Sequence, residues 1–361
     1  MSLIYQTEIG ALFLCFLLSF AKKDGTLEDG RAKYRYSKLI ILLFAALLIV
    51  VAGFRYKFAD TTDYRAMHRL LASCADPVKE ATEGSLKDVE NGYLLFSYII
   101  SRLFNNAQML FFISTAIIVG ISIYTIKKYS DDLPYSLTLY FFLGFISSMN
   151  GMRQLLAGVI VYLFLRYFIN EKFFLAIIPI LIAMTFHKSA MIFFFFYFMA
   201  IGKPFNKKLR TFLVLSVIMA LLPASVTEYL ASFLGEDDYA MYLTNSTGMS
   251  TMRFLVGSVP FFLCWLSRKK LTDKTDIFFS NLIVTDMCFN IIALRNLFFG
   301  RLSMYLTLVV CIMLPKYVRL AVEPRYEKLV KYISIILFAI YFVFQIDAYG
   351  GMQNFSIVFS L

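Results

Sequence analysis

Long apolar stretches alternate with short charged clusters along almost the whole chain. The apolar stretches run for about 14 to 20 residues, close to the roughly 20 residues that a helix needs to cross a bilayer. Because lipid cannot satisfy exposed backbone polar groups, each stretch is predicted to be a helix. Twelve can be counted: 2–20, 38–53, 107–126, 134–149, 153–167, 173–186, 189–201, 211–228, 253–267, 277–294, 300–315 and 329–346. The pattern predicts an all-α polytopic integral membrane protein with about 12 transmembrane helices.

The segment 173–202 tests this count, because it is nearly continuous apolar sequence with basic clusters at both ends. As one helix it would be roughly 45 Å long at about 1.5 Å per residue, whereas the hydrocarbon core is about 30 Å thick. Two short helices satisfy both facts. We therefore expect a hairpin with His187, Lys188 and Ser189 at its outer turn.

Basic residues fall mainly on one side of the predicted membrane. When the connections are assigned alternately, 23 of the 35 Lys and Arg residues lie within 21–38, 127–133, 166–172, 202–210, 268–276 and 316–331. By the positive-inside rule this set is cytoplasmic, so both termini are predicted to be extracytoplasmic.

Composition agrees with a membrane protein and excludes a soluble one, since 60% of the residues are hydrophobic, 16% are charged and the mean hydropathy is +0.70. The net charge of +11 is explained by the cytoplasmic connections, so no nucleic-acid partner is expected. The five cysteines have no spacing typical of a disulfide framework or metal site, and we expect no metal and no cofactor.

The chain is predicted to form a single transmembrane domain, 1–361, with one long outer loop at about 54–106. The part of this loop from Tyr93 to Phe104 predicts a helix that lies on or dips into the outer leaflet. A smaller outer loop at about 229–252 carries the acidic residues Glu236, Asp237 and Asp238.

Arginine and lysine are distributed differently across the membrane. Of twenty lysines sixteen are on the predicted cytoplasmic side, but eight of fifteen arginines are outside. Five lie at or within a turn of an outer helix end: Arg55, Arg153, Arg253, Arg295 and Arg301. A guanidinium group is a planar fork that suits phosphate better than an ammonium group. Several converging arginines would form an anion site, although each alone could reach lipid headgroups or a nearby carboxylate.

Carboxylates and one histidine accompany these arginines. Asp60 and Asp63 follow the second apolar stretch, Glu90 precedes the next, and His187 lies at the predicted outer turn. Each could be a solvated or turn residue, or a general base beside the anion site. Asp286 differs because it lies within an apolar stretch, where a carboxylate indicates either a functional pathway or a structural hydrogen bond; we favour the structural interpretation.

With these residues assembled, the sequence resembles the EpsG family, a branch of the Wzy-type polysaccharide polymerases. The resemblance rests on GFRYKFADTTDY at 53–64, VENGYLLFSYI at 89–99, MNGMRQLLAGVI at 149–160, AMTFHKSAMI at 183–192 and RLSMY at 301–305. The Asn-x-x-Arg-Gln-x-x-Ala and Phe-His-Lys-Ser segments form the most specific pair.

The resemblance implies polymerisation of undecaprenyl-pyrophosphate-linked oligosaccharide repeat units on the outer face of the bacterial cytoplasmic membrane, within a fold similar to GT-C glycosyltransferases. We expect Arg153 to contact the pyrophosphate, with Arg55 and Arg301 assisting. Asp63 or His187 is the expected base, and Glu90 a positioning or alternative base. Further substrate-binding candidates are Arg55, Asp60, Tyr64, Asn150, Gln154, Arg253, Arg295, Arg301 and Tyr305. A flippase and a chain-length regulator are implied as protein partners, and membrane lipids as surroundings.

Two other functional hypotheses are alternatives to polymerisation. Another membrane glycosyltransferase, or an O-antigen-ligase-like enzyme, would use similar residues and give a different product. A lipid-linked sugar flippase or transporter fits the helix count, but transport favours ionisable residues along a mid-membrane path. Only Asp286 is a clear candidate of that kind, and we therefore favour polymerisation.

Overall fold

The computed structural model describes residues 3–26, 32–56, 58–223, 225–226, 248–348 and 355–357. The chain divides into two compact units: unit 1 comprises residues 1–152 and 333–361, and unit 2 comprises residues 153–332. The predicted acidic residues Glu236, Asp237 and Asp238 lie outside the described residues.

Unit 1 is built mainly from helices. In chain order they are α1 (Leu3–Leu18), α2 (Lys38–Gly53), α3 (Thr61–Ser73), α4 (Pro77–Thr82), α5 (Asn91–Leu103), α6 (Gln108–Tyr129), α7 (Leu133–Tyr140) and α8 (Ile146–Asn150). A π-helical segment, Phe141–Phe145, continues α7 into α8. Helix α2 packs against α1 and α6, and α3 packs against α5. The helices α3 to α5 therefore form the predicted outer loop.

A small sheet interrupts the helical architecture of unit 1. Strands β1 (Lys22–Thr26) and β2 (Ala32–Arg35) pair antiparallel, with Lys22 opposite Arg35. All five residues of β1 are exposed. This two-stranded sheet is a local exception within a chain whose described elements are otherwise helical, as expected of an all-α protein.

Unit 2 is also helical. Its helices are α9 (Met152–Leu163), α10 (Leu165–Ile169), α11 (Phe173–Met184), α12 (Ile192–Ala200), α13 (Lys207–Leu221), α14 (Thr251–Ser267), α15 (Lys274–Ala293), α16 (Leu297–Leu302), α17 (Thr307–Ala321) and α18 (Pro324–Ala348). The first residue of α9 and the last part of α18 belong to unit 1. Two 3₁₀ turns, Lys188–Met191 and Ser303–Leu306, precede α12 and α17.

The core of unit 2 surrounds α15, which packs against α12, α13, α14, α16 and α17. Every residue of α15 from Phe278 to Ala293 is buried. The helix begins where the Asp273 carboxylate accepts hydrogen bonds from the backbone N–H groups of Thr275 and Asp276, at 2.8 and 3.2 Å. This cap satisfies two of the donors that a helix start leaves unpaired.

Where the predicted membrane segments are described, they are largely helical, but twelve spans stay a prediction. Within the described residues, four helices are long and apolar enough to cross a membrane: Gln108–Tyr129, Lys274–Ala293, Leu297–Ala321 and Pro324–Asp347. Several other apolar helices are shorter. The predicted break into two short helices is present, since α11 ends at Met184 and the next turn begins at Lys188. The position of this turn on the outer side stays a prediction.

Candidate functional site

One face of α9 lies against the segment 301–305. Gln154 Nε2 donates a hydrogen bond to the backbone oxygen of Arg301 at 2.7 Å, and the Tyr162 hydroxyl donates to the backbone oxygen of Tyr305 at 2.6 Å. Gly158 lies between them, where an added Cβ would be 3.0 Å from Tyr305 Cδ1. Positions four residues apart share one helix face. Two of the family-like motifs are thereby brought into contact.

The predicted outer turn reaches the same segment. Ser189 Oγ and the Tyr305 hydroxyl are 2.9 Å apart, and the Tyr305 ring packs edge-to-face on Phe193 with centroids 5.0 Å apart. His187, which is half-buried, is held by a hydrogen bond from its backbone N–H to the oxygen of Ala183 at 3.0 Å. The turn is thus joined to Tyr305 through Ser189.

These contacts gather five of the predicted site residues. Arg153 is half-buried at the start of α9, next to Gln154, and Arg301 is half-buried near the end of α16. We call Arg153, Gln154, His187, Arg301 and Tyr305 the polar end of unit 2. Half-exposed guanidinium groups can bind an anion, and a histidine can accept or donate a proton.

Two more predicted arginines flank the C-terminus of α15. Arg253 is half-buried in the first turn of α14, and the segment before it is fixed by a hydrogen bond from Met249 N to the oxygen of Ala293 at 2.8 Å. Arg295 is exposed, and its Nε donates to the oxygen of Ala220 at 2.6 Å. Positive charge is favourable at a helix C-terminus, so both arginines have a structural explanation besides the predicted one.

Arg55 occupies a different setting, in unit 1. Its side chain is fully buried. The guanidinium donates to Thr61 Oγ1 at 3.2 Å, to the oxygen of Ala52 at 2.7 Å and to Met152 Sδ at 3.7 Å, and it lies 4.5 Å from the centre of the Phe111 ring. These internal contacts give Arg55 a structural role, and its contact with substrate stays a prediction.

The backbone around Arg55 is fixed as well. Its carbonyl oxygen accepts hydrogen bonds from Arg65 Nη2 and Gln108 Nε2, both at 3.1 Å. Burial lowers the pKa of the Arg55 guanidinium to about 10. The nearby Tyr64 and Tyr93 side chains raise this pKa and offset part of the effect of burial. The group therefore remains charged at neutral pH inside unit 1.

The remaining candidates of unit 1 differ in exposure. Asp60 and Asp63 are exposed at the start of α3, whereas Tyr64 is buried with its ring edge-to-face to Tyr93, at 5.8 Å between centroids. Glu90 is only 8% exposed at the N-terminal cap position of α5. Asn150 is half-buried at the end of α8.

Two residues that make these contacts, Tyr162 and Ser189, were not among the predicted site residues. Tyr162 was hidden in an apolar stretch, and Ser189 was noticed only as part of a turn. The spacing of Gln154, Gly158 and Tyr162 was a usable signal, because polar and small residues recur every four positions on α9. Among the described residues, no three His, Cys, Asp or Glu side chains come close enough to hold a metal ion.

Comparison with known proteins supports the resemblance seen in the motifs. No curated protein and no solved structure shows a significant match to the chain. The family model of the EpsG family matches residues 38–357, a range that includes the whole polar end of unit 2 and all the predicted site residues of unit 1. The chain therefore belongs to the EpsG family.

Proposed function

We propose that this membrane protein joins lipid-pyrophosphate-linked oligosaccharide repeat units into a surface polysaccharide on the outer face of the bacterial cytoplasmic membrane. The observation that carries the proposal is the polar end of unit 2, where Arg153 and Arg301 lie on segments connected by the hydrogen bond from Gln154. Membership of the EpsG family supports the same activity.

The chemistry fits a glycosyl transfer from undecaprenyl pyrophosphate. The bond between the sugar anomeric carbon and the pyrophosphate oxygen breaks, and a new bond forms from that carbon to a hydroxyl oxygen of the acceptor unit. Negative charge grows on the leaving pyrophosphate, and guanidinium groups already in place stabilise this charge without reorganising. We assign this contact to Arg153, with Arg301 assisting.

The hydroxyl of the acceptor must lose its proton as the new bond forms. His187 is the base that the structure supports best, because its turn is joined to Tyr305 through Ser189. A histidine changes charge near neutral pH and is therefore suited to proton transfer. Asp63 and Glu90, in unit 1, are proposed as the alternatives to His187.

The test compares three variants in membranes that contain the lipid-linked repeat units of the producing cell. Arg153→Ala is expected to stay in the membrane and to lower polymer formation by roughly 100-fold or more, the scale seen when one charge-stabilising donor is lost. Arg153→Lys should recover little, because an ammonium group cannot bind two phosphate oxygens as a planar fork. Polymer length is read from gels of the glycans.

Arg166→Ala is the matched control, since Arg166 is an exposed arginine in α10 that bonds to the neighbouring Tyr167 hydroxyl. It should give full-length polymer. Normal polymer from Arg153→Ala would refute the assignment of Arg153. A single added sugar, or one transfer to a new carrier instead of a ladder of repeats, would replace polymerisation by another glycan transfer.

A further inference from the structure

A cavity of about 470 Å³ opens at the start of α15, within unit 2. Its lining comes from the end of α10, the turn after α12 and the first turns of α15. This volume falls within the range of about 300 to 1,000 Å³ that is typical of ligand pockets. No residue of the polar end of unit 2 lines the cavity, which is therefore separate from the site described above.

A buried amide fixes one wall of this cavity. Asn281, on α15, is 0% exposed, and its Nδ2 donates hydrogen bonds to the backbone oxygens of Ala200 and Gly202 at 2.8 and 3.1 Å. Gly202 has a φ of 103°, which residues with a side chain rarely adopt. Helix α15 is thereby tied to the turn after α12, so the wall is held in place before any ligand binds.

Glu171 lies at the rim of the cavity, just after α10. Its φ of 58° is left-handed, at a position after a helix end where glycine is the usual residue. Its carboxylate forms an ion pair with Lys274 Nζ at 2.9 Å, with side chains 45% and 56% exposed, respectively. Exposed ion pairs of this kind contribute little to stability. Lys274 can therefore exchange the carboxylate for another anion at little cost.

The rim is basic and the interior is apolar. Lys203 also lines the cavity, and in the described part of the chain its exposed ammonium group pairs with no carboxylate. The three connections that meet here, 166–172, 202–210 and 268–276, contain ten basic and three acidic residues. The apolar lining consists of Ile169, Ala200, Ile201, Pro204, Ile277 and Phe278. This combination suits a ligand with a negative head and an apolar body.

We propose that the cavity binds an anionic phospholipid, with its phosphate on Lys203 and Lys274 and the start of an acyl chain against the apolar lining. All three connections are predicted to be cytoplasmic, and basic pockets between helices on that side of a membrane typically bind anionic headgroups. A free phosphate ion would leave the apolar lining in water, whereas a lipid covers it. The proposal goes beyond polysaccharide polymerisation and does not depend on it.

The test measures binding of short-chain phosphatidylglycerol to the full-length protein in a non-ionic detergent, by native mass spectrometry. Lys203→Glu combined with Lys274→Glu is expected to weaken binding of the first lipid by about tenfold or more, because two attractive charges become repulsive. Glu171→Gly should strengthen it by about threefold, because the competing carboxylate is removed and glycine fits the left-handed φ. Unchanged affinity in the double variant would overturn the proposal.

Lys207→Glu combined with Lys269→Glu is the matched control. Both lysines are exposed on two of the same connections and do not line the cavity. The change in charge equals that of the first double variant, so affinity should stay within about twofold of wild type if position decides binding. Equal losses in the two double variants would show a general attraction to a basic surface and would rule out a defined site.

Two further ligands test the chemistry of the occupant. Phosphatidylcholine of the same chain length carries a compensating positive charge and should bind about tenfold more weakly. Inorganic phosphate in roughly hundredfold excess should displace less than half of the lipid, because it gains nothing from the apolar lining. Displacement at equal concentrations would assign the cavity to free phosphate, and equal binding of phosphatidylcholine would exclude selection by charge; either result refutes an anionic lipid site.

Discussion

Individual arginines occupy two different settings in this protein. Arg55 is fully buried, with its guanidinium bonded to neighbours in unit 1, whereas Arg153 and Arg301 remain half-buried at the polar end of unit 2. A partly exposed guanidinium can exchange water for phosphate oxygens, while a buried one would first have to give up its internal hydrogen bonds. Exposure thus separates an arginine that stabilises the fold from arginines suited to bind an anion.

His68 provides a prediction about pH. The residue is 1% exposed on α3, and its Nε2 completes no hydrogen bond within the described residues. Burial lowers the pKa of His68 below its usual 6.5. A hydrogen bond with the backbone of Phe104 raises this pKa but does not offset the burial. The unfolded chain then binds the proton more readily than the folded chain, so stability is full above pH 6.5 and falls as the pH drops from there towards the folded pKa.

We therefore expect the melting temperature of the purified protein to fall on acidification below pH 6.5, and His68→Gln to reduce that fall. Because the chain has only two histidines, His187→Gln is the natural control and should retain the full dependence on pH. A melting temperature that responds to pH equally in wild type and His68→Gln would contradict this account.

At the scale of elements, α5 has an unusual distribution of side chains. Leu95, Ile99 and Leu103 are 59%, 49% and 69% exposed and recur every four residues, while the opposite face buries Ser97 and Ser101. Apolar side chains on the outer face and hydroxyl groups on the inner face are typical of a helix that meets lipid. The sequence prediction that the segment lies on or dips into the outer leaflet stays a prediction.

Cysteine labelling in intact membranes tests that orientation. In a background with Cys74→Ser, Ile99→Cys should react slowly with a water-soluble maleimide, because the thiol would be in the lipid. Glu83→Cys, at an exposed position of the same loop, should react fast. Equal labelling rates would place the outer face of α5 in water.

Some elements were predictable from the sequence and others were not. The hairpin of α11 and α12 could be predicted, because a continuous apolar segment was too long for one span and its middle carries His187, Lys188 and Ser189. The pair β1 and β2 was not, since β1 reads Lys-Lys-Asp-Gly-Thr and shows no apolar alternation. Its geometry depends on Gly25, whose φ of 117° is accessible to few other residues.

At the scale of the whole molecule, the orientation in the membrane is predicted from the distribution of lysine and arginine. Asp63→Cys, in the predicted outer loop, should react with a membrane-impermeant maleimide added to intact cells. Lys203→Cys and Lys269→Cys, at predicted cytoplasmic positions, should react only after the cells are opened. Labelling of Lys203→Cys from outside would reverse the orientation and remove the basis for an extracytoplasmic site.

The candidate site was predictable in its composition but not in its contacts. The motifs identified Arg153, Gln154, Arg301 and Tyr305 as candidates, yet nothing in one sequence indicates that Gln154 bonds to the backbone of Arg301. Likewise, Arg55 reads as an arginine at a helix end, and its burial depends on residues that are distant in the chain, such as Phe111. Long-range packing decides both outcomes.

The close approach of Gly158 to Tyr305 has a consequence for how this sequence can change over generations. A methyl group at position 158 would meet the Tyr305 ring at 3.0 Å, and the ring is held by both Ser189 and Phe193. Any side chain at position 158 therefore requires the Tyr305 ring to move by a few tenths of an ångström or to be replaced by a smaller one. A lineage that acquires a larger residue at 158 is thus expected to change at or around position 305 as well.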